Sequence, residues 1–111
     1  MQTSTGPAER IEPVRHIDWT RLPDEQTVLD QVWASLPVAP EQRDRAHVLA
    51  FLEHEGLVPA SAEDGRTVYT YADGPRESGS LVECEWYLEF RFDREGGTLG
   101  ELAVEKRLVG P

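Results

Sequence analysis

Between Val82 and Phe92 every even position is apolar (Val82, Cys84, Trp86, Leu88, Phe90, Phe92), while the odd positions are Glu83, Glu85, Tyr87, Glu89 and Arg91. Side chains alternate across a strand, so this pattern predicts one long β-strand with an aromatic-rich face on a core and an anionic face toward water or a partner. A preceding strand is predicted over 66–72, where Val68, Tyr69, Thr70 and Tyr71 are strong strand formers between Gly65 and Asp73-Gly74-Pro75. After the long strand, Asp93-Arg94-Glu95-Gly96-Gly97 reads as a turn. A last strand over 98–108 would then place Leu102 and Val104 on the core face and Glu101, Glu105 and Arg107 on the exposed one.

Upstream the period changes. Val28, Leu29, Val32, Trp33 and Leu36 recur at helical spacing opposite Gln26, Asp30 and Gln31, which predicts an amphipathic helix. Pro23 suits its start, Asp24 and Glu25 suit its positive end, and Pro37 closes it. Pro40 opens a second helix that turns Ala46, Leu49, Ala50, Phe51 and Leu52 inward and ends at Gly56, a C-terminal cap. The two form an αα-hairpin. The segment 14–19 is expected to lie extended, with Ile17 or Trp19 anchored against a helix, and residues 1–13, broken by Gly6 and Pro7, read as a flexible tail. The predicted fold is therefore α+β: one domain over 14–111, with an N-terminal helix pair packed on a three-stranded antiparallel β-meander in the order α-α-β-β-β.

Charge changes the picture more than size does. The chain has 111 residues and a formal net charge of −10, from 21 acidic and 11 basic side chains. Over 77–105, Glu77, Glu83, Glu85, Glu89, Asp93, Glu95, Glu101 and Glu105 face only Arg91 and Arg94. Clustered Lys and Arg are what phosphate backbones and anionic membranes demand, so nucleic acid is excluded as a partner. No apolar run reaches the roughly 20 residues of a membrane span, and the start has no hydrophobic signal core, so no membrane insertion is expected. This points to the cytoplasm, or to an extracytoplasmic site if a leader has been removed.

Candidate chemistry is sparse. Cys84, the single cysteine, sits on the apolar side of its strand and reads as an inert core thiol. Of the three histidines, His16, His47 and His54, the last two stand two helical turns apart, about 10 Å, too far to share one zinc ion, so no metal site is supported. Ser61, Ser78 and Ser80 lack a nucleophile elbow, and Gly96-Gly97 precedes no helix that could cradle a phosphate. The carboxylates on the sheet face have neither the cleft of a glycosidase nor a loop to wrap calcium. No catalytic residue and no cofactor is expected.

The helix pair followed by Tyr69-x-Tyr71 and by Leu88-x-Phe90-x-Phe92-Asp93-x-x-Gly96 before Leu99 resembles the small outer-membrane assembly lipoproteins of the SmpA/BamE type, over about residues 44–108. Val48, Leu52, Gly56 and Pro59 stand in places similar to that family's helical segment. The chain departs from it in having no lipidation cysteine near its start and a longer stretch over 52–59. The resemblance implies a non-enzymatic scaffold or binding module.

These observations lead to one expectation and two alternatives. The expectation is a non-catalytic interaction domain, of the inhibitor or immunity type, that meets a basic protein partner through Glu83, Glu85, Tyr87, Glu89, Glu101 and Glu105. The first alternative is an envelope scaffold. The second is a ligand binder or enzyme with a pocket between helices and sheet, lined by Trp33, Tyr69 and Trp86.

Overall fold

The computed structural model describes residues 16–75, 83–94 and 97–109. The expected tail over 1–13, together with Val82, Ser78, Ser80 and Gly96, lies outside them. Helix α1 spans Glu25–Ser35 and α2 spans Arg45–His54, each preceded by a single 3-10 turn, Trp19–Arg21 and Pro40–Gln42. Four strands follow: β1 (Ala60–Ser61), β2 (Thr67–Asp73), β3 (Glu83–Phe92) and β4 (Leu99–Val109). All pair antiparallel in the order β1-β2-β3-β4.

The sheet thus has four strands, where the sequence predicts three. The extra one is the two-residue β1, paired through Ala60 with Tyr69 and Ser61 with Val68. Two residues carry no periodicity; the turn after them creates the pairing. In that turn Asp64 Oδ1 accepts from the backbone of Arg66 (2.8 Å) and Thr67 (3.0 Å), while Gly65 takes φ 74°. Thr70, buried on the core face, donates its hydroxyl to the Val58 carbonyl at 2.7 Å and fastens the segment leading into β1.

Both helices are started by aspartates. Asp24 Oδ1 accepts from the Thr27 N–H at 2.8 Å, and Asp44 Oδ1 accepts from the His47 N–H at 3.0 Å. Asp44 also sets the boundary the sequence misplaces: α2 begins at Arg45, and Pro40 opens only the preceding 3-10 turn. That register turns Val48, Phe51 and Leu52 into the core and leaves Ala46 and Ala50, expected inward, exposed. The C-terminus is a Schellman motif, with Gly56 at φ 74° donating to Glu53 O and Leu57 donating to Leu52 O at 2.9 Å. In α1 the stripe is as expected, with Val28, Val32 and Leu36 buried and Leu29 and Trp33 packed against them.

Helix and sheet stripes meet in one core of Trp19, Val28, Val32, Val48, Leu52, Val68, Trp86, Leu88, Phe90 and their neighbours. Trp86, Leu88 and Phe90 are 0% exposed, and Phe92 3%. Cys84, at the outer end of the same row, is half-buried. The segment before α1 completes the packing: Trp19 is buried, and its carbonyl accepts a 2.9 Å hydrogen bond from the Trp86 indole N–H. Among the described residues no helix is long and apolar enough to cross a membrane.

Two outcomes are expected. Trp86→Phe leaves the Trp19 carbonyl without its donor and, in a urea titration, lowers stability by about 1–3 kcal/mol, whereas Trp86→Ala costs about 3–5 kcal/mol through the cavity it opens. The caps add a pH dependence. Hydrogen bonds from Thr27 hold the Asp24 carboxyl below its ordinary 3.8, and those from His47 and from Arg66 and Thr67 do the same for Asp44 and Asp64. Their contribution is complete above the ordinary carboxylate range and is lost as pH falls through the lowered values. Thermal melts of the triple alanine variant should therefore show a lower Tm at pH 7 and a shallower acid limb.

Candidate functional site

The outer face of the sheet is built by register. β2 pairs with β3 through Tyr69–Glu89, Tyr71–Tyr87 and Asp73–Glu85. β3 pairs with β4 through Glu85–Arg107, Tyr87–Glu105 and Arg91–Glu101. Residues directly opposite on one face touch, so Tyr69, Tyr71 and Tyr87 form a cluster, with ring centroids 6.5, 6.0 and 5.4 Å apart. Arg107 lies over the Tyr87 ring at 4.1 Å and reaches Tyr71 at 5.9 Å, while its guanidinium is held by Glu105 at 3.0 Å.

All six residues proposed from sequence for partner contact stand on this face. Glu83, Glu101 and Glu105 are exposed, and Glu85, Tyr87 and Glu89 are partly buried. They are not an equivalent row. The Tyr87 hydroxyl donates to Glu89 at 2.7 Å, and Glu89 also pairs with Arg91, which bridges to Glu101 at 3.1 Å. Glu89, Glu101 and Glu105 are thus engaged within the face, and Glu85 stands between Asp73 and Arg107 in the register. What sequence reasoning missed is the tyrosine cluster: Tyr69 and Tyr71 read as strand formers, and only the β2–β3 register sets them against Tyr87.

The pocket expected between helices and sheet is not assembled. Trp86 is sealed in the core, Tyr69 is on the opposite face, and Trp33 lies beneath the Arg43 guanidinium at 5.0 Å. A groove of about 880 Å³ opens elsewhere, where the segment 16–22 crosses the helices. His47 and His54 both line it but do not approach each other as a pair. Instead, the His54 ring stacks on His16 at a centroid distance of 4.8 Å, and His47 Nδ1 is hydrogen bonded to Asp44 at 2.7 Å. Beside His54 is a carboxylate the sequence analysis did not single out: the Glu55 side chain is 3% exposed, and its Oε1 accepts from Ile17 N at 2.9 Å and Trp19 Nε1 at 3.3 Å.

No family model matches the chain, and no solved structure matches it. Among curated proteins the chain is similar to Pikachurin of Bos taurus, 33% identical over 75 residues, which is 68% of this chain and 7% of that protein. The chain therefore spans only a small part of the relative it matches, and the likeness assigns it no family, activity or partner.

The tyrosine cluster has a measurable signature. Burial, then the hydrogen bond to Glu89 and that residue's charge, push the Tyr87 phenol up from 10.0 to about 12. Stability from the neutral phenol is complete below pH 10 and is lost as pH rises through about 12. Ultraviolet titration should show a phenolate step near pH 12 that disappears in Tyr87→Phe.

Proposed function

We propose that the chain is a non-catalytic protein-interaction domain whose outer sheet face binds a basic protein partner, in the manner of an inhibitor or immunity protein. The observation that supports this is the cluster of Tyr69, Tyr71 and Tyr87 at the centre of a face whose other side chains are mostly carboxylates. Tyrosine gives a large contact area at low cost in side-chain entropy and is favoured where binding energy concentrates. Around it stand Asp73, Glu83, Glu85, Glu89, Glu101 and Glu105 against Arg91 and Arg107. Such a field speeds encounter with a cationic surface and repels anionic ones. Because Glu89, Glu101 and Glu105 already hold arginines or Tyr87, the rim is ordered before binding, and less freedom is lost on association.

The test is tagged capture from the native host's lysate at low and high salt, run in parallel with Tyr71→Ala and with Glu83→Lys/Glu85→Lys. Tyr71 is 42% exposed, so its truncation leaves the core intact. A stoichiometric basic protein should be retained at low salt, released at high salt, and lost by both variants. Retention undiminished in the variants, or a partner insensitive to salt, would remove the sheet face from the assignment.

A further inference from the structure

The groove side of the molecule holds a second constellation, independent of the sheet face. His16 comes from the segment ahead of α1, while His54 and Glu55 come from the end of α2. One ligand atom from each, two imidazole nitrogens and a carboxylate oxygen, lie within 4.8 Å of one another. The His54 Nε2 to Glu55 Oε2 distance is 3.9 Å.

We propose that His16, His54 and Glu55 form a binding site for a borderline divalent transition metal ion, zinc being the representative case. Two imidazoles and one carboxylate suit such an ion, which takes three protein ligands and leaves a fourth position for water or a ligand. Glu55 is prepared for the role. Its Oε1 is oriented by the Ile17 N–H and the Trp19 indole N–H, and its Oε2 faces His54. Ligating carboxylates are held in this way by outer hydrogen bonds. The side chain is also 97% removed from water, a costly place for a carboxylate without a neighbouring cation. A metal ion held between Glu55 and the stacked His16 and His54 rings, 4.8 Å apart, supplies that cation.

Geometry sets what must move. Tetrahedral zinc with bonds of about 2.0–2.1 Å holds its ligand atoms about 3.3 Å apart. Glu55 is fixed by its two donors, so closure comes from side-chain rotation of His16 and His54, both exposed. The open position then faces the groove, whose wall also carries Asp18, Arg21 and His47. Because the site joins the entering segment to α2, bound metal also clamps that segment, and the folded state gains stability by mass action.

Isothermal titration with ZnCl2 and optical titration with CoCl2 test the site on the full chain, using His16→Ala, His54→Ala and, as a groove control, His47→Ala. The expected result is one zinc per chain, intense visible cobalt bands, and a zinc-dependent rise in Tm. His16→Ala and His54→Ala should each weaken zinc affinity at least tenfold while keeping the metal-free circular dichroism spectrum, and His47→Ala should leave affinity unchanged. No saturable zinc binding by the parent chain would overturn the proposal. So would binding that survives in the His16→Ala/His54→Ala double variant, which would place the metal on the acidic surface. Glu55 is left intact because its loss would also free Ile17 and Trp19.

Discussion

The fold depends on one hydrogen bond between indole and backbone. Trp86 is the largest fully buried side chain, and its N–H is a donor that cannot be left without an acceptor in an apolar core. The Trp19 carbonyl meets it at 2.9 Å across 67 positions of sequence. That bond fixes where the segment ahead of α1 crosses the sheet, and Trp19 then buries its own ring. The Trp19 indole N–H is satisfied in turn by Glu55 at the end of α2. Two tryptophans and one carboxylate thus connect the central strand, the entering segment and the second helix, and each link exists because a buried polar group requires a partner.

The two sides of the molecule follow from this arrangement. One face of the sheet is spent on the core, so whatever the sheet presents to a partner must come from the other. That other face is a set of cross-strand pairs in which aromatic rings occupy the centre and charges the periphery. On the helix side, the same crossing that seals Trp86 leaves a groove and draws His16 against His54. The surface proposed for protein contact and the cluster proposed for metal are therefore separated by the core.

Much of this was legible in the chain. The alternation through β3 is strong because Trp86, Leu88, Phe90 and Phe92 face a continuous core while Glu83, Glu85, Tyr87, Glu89 and Arg91 face outward. The stripe of α1 is equally clear, and the weak alternation over 14–19 pointed to Ile17 or Trp19 as an anchor on a helix, whereas Trp19 opens a 3-10 turn and bonds both the strand residue Trp86 and Glu55 at the end of α2. Less legible were features that rest on pairing. The strand β1 is two residues long and exists through its register with Tyr69 and Val68. The start of α2 is decided by the Asp44 side chain on the His47 N–H rather than by Pro40. Glu55, a charged residue at the end of a helix, carries no sign in sequence of being buried.

Alone, the sequence determined the class of fold, the inner faces of α1 and the long strands and the anionic character of the outer sheet face, because periodicity and charge are local properties. Tertiary structure decided which residues meet. Three tyrosines from two strands became one cluster through the β2–β3 register, and His54 took His16 as its neighbour instead of His47, seven positions away on its own helix. The reason is physical: spacing along a helix or strand sets only contacts within that element, while contacts between elements are set by how a core closes and how its buried polar groups find partners.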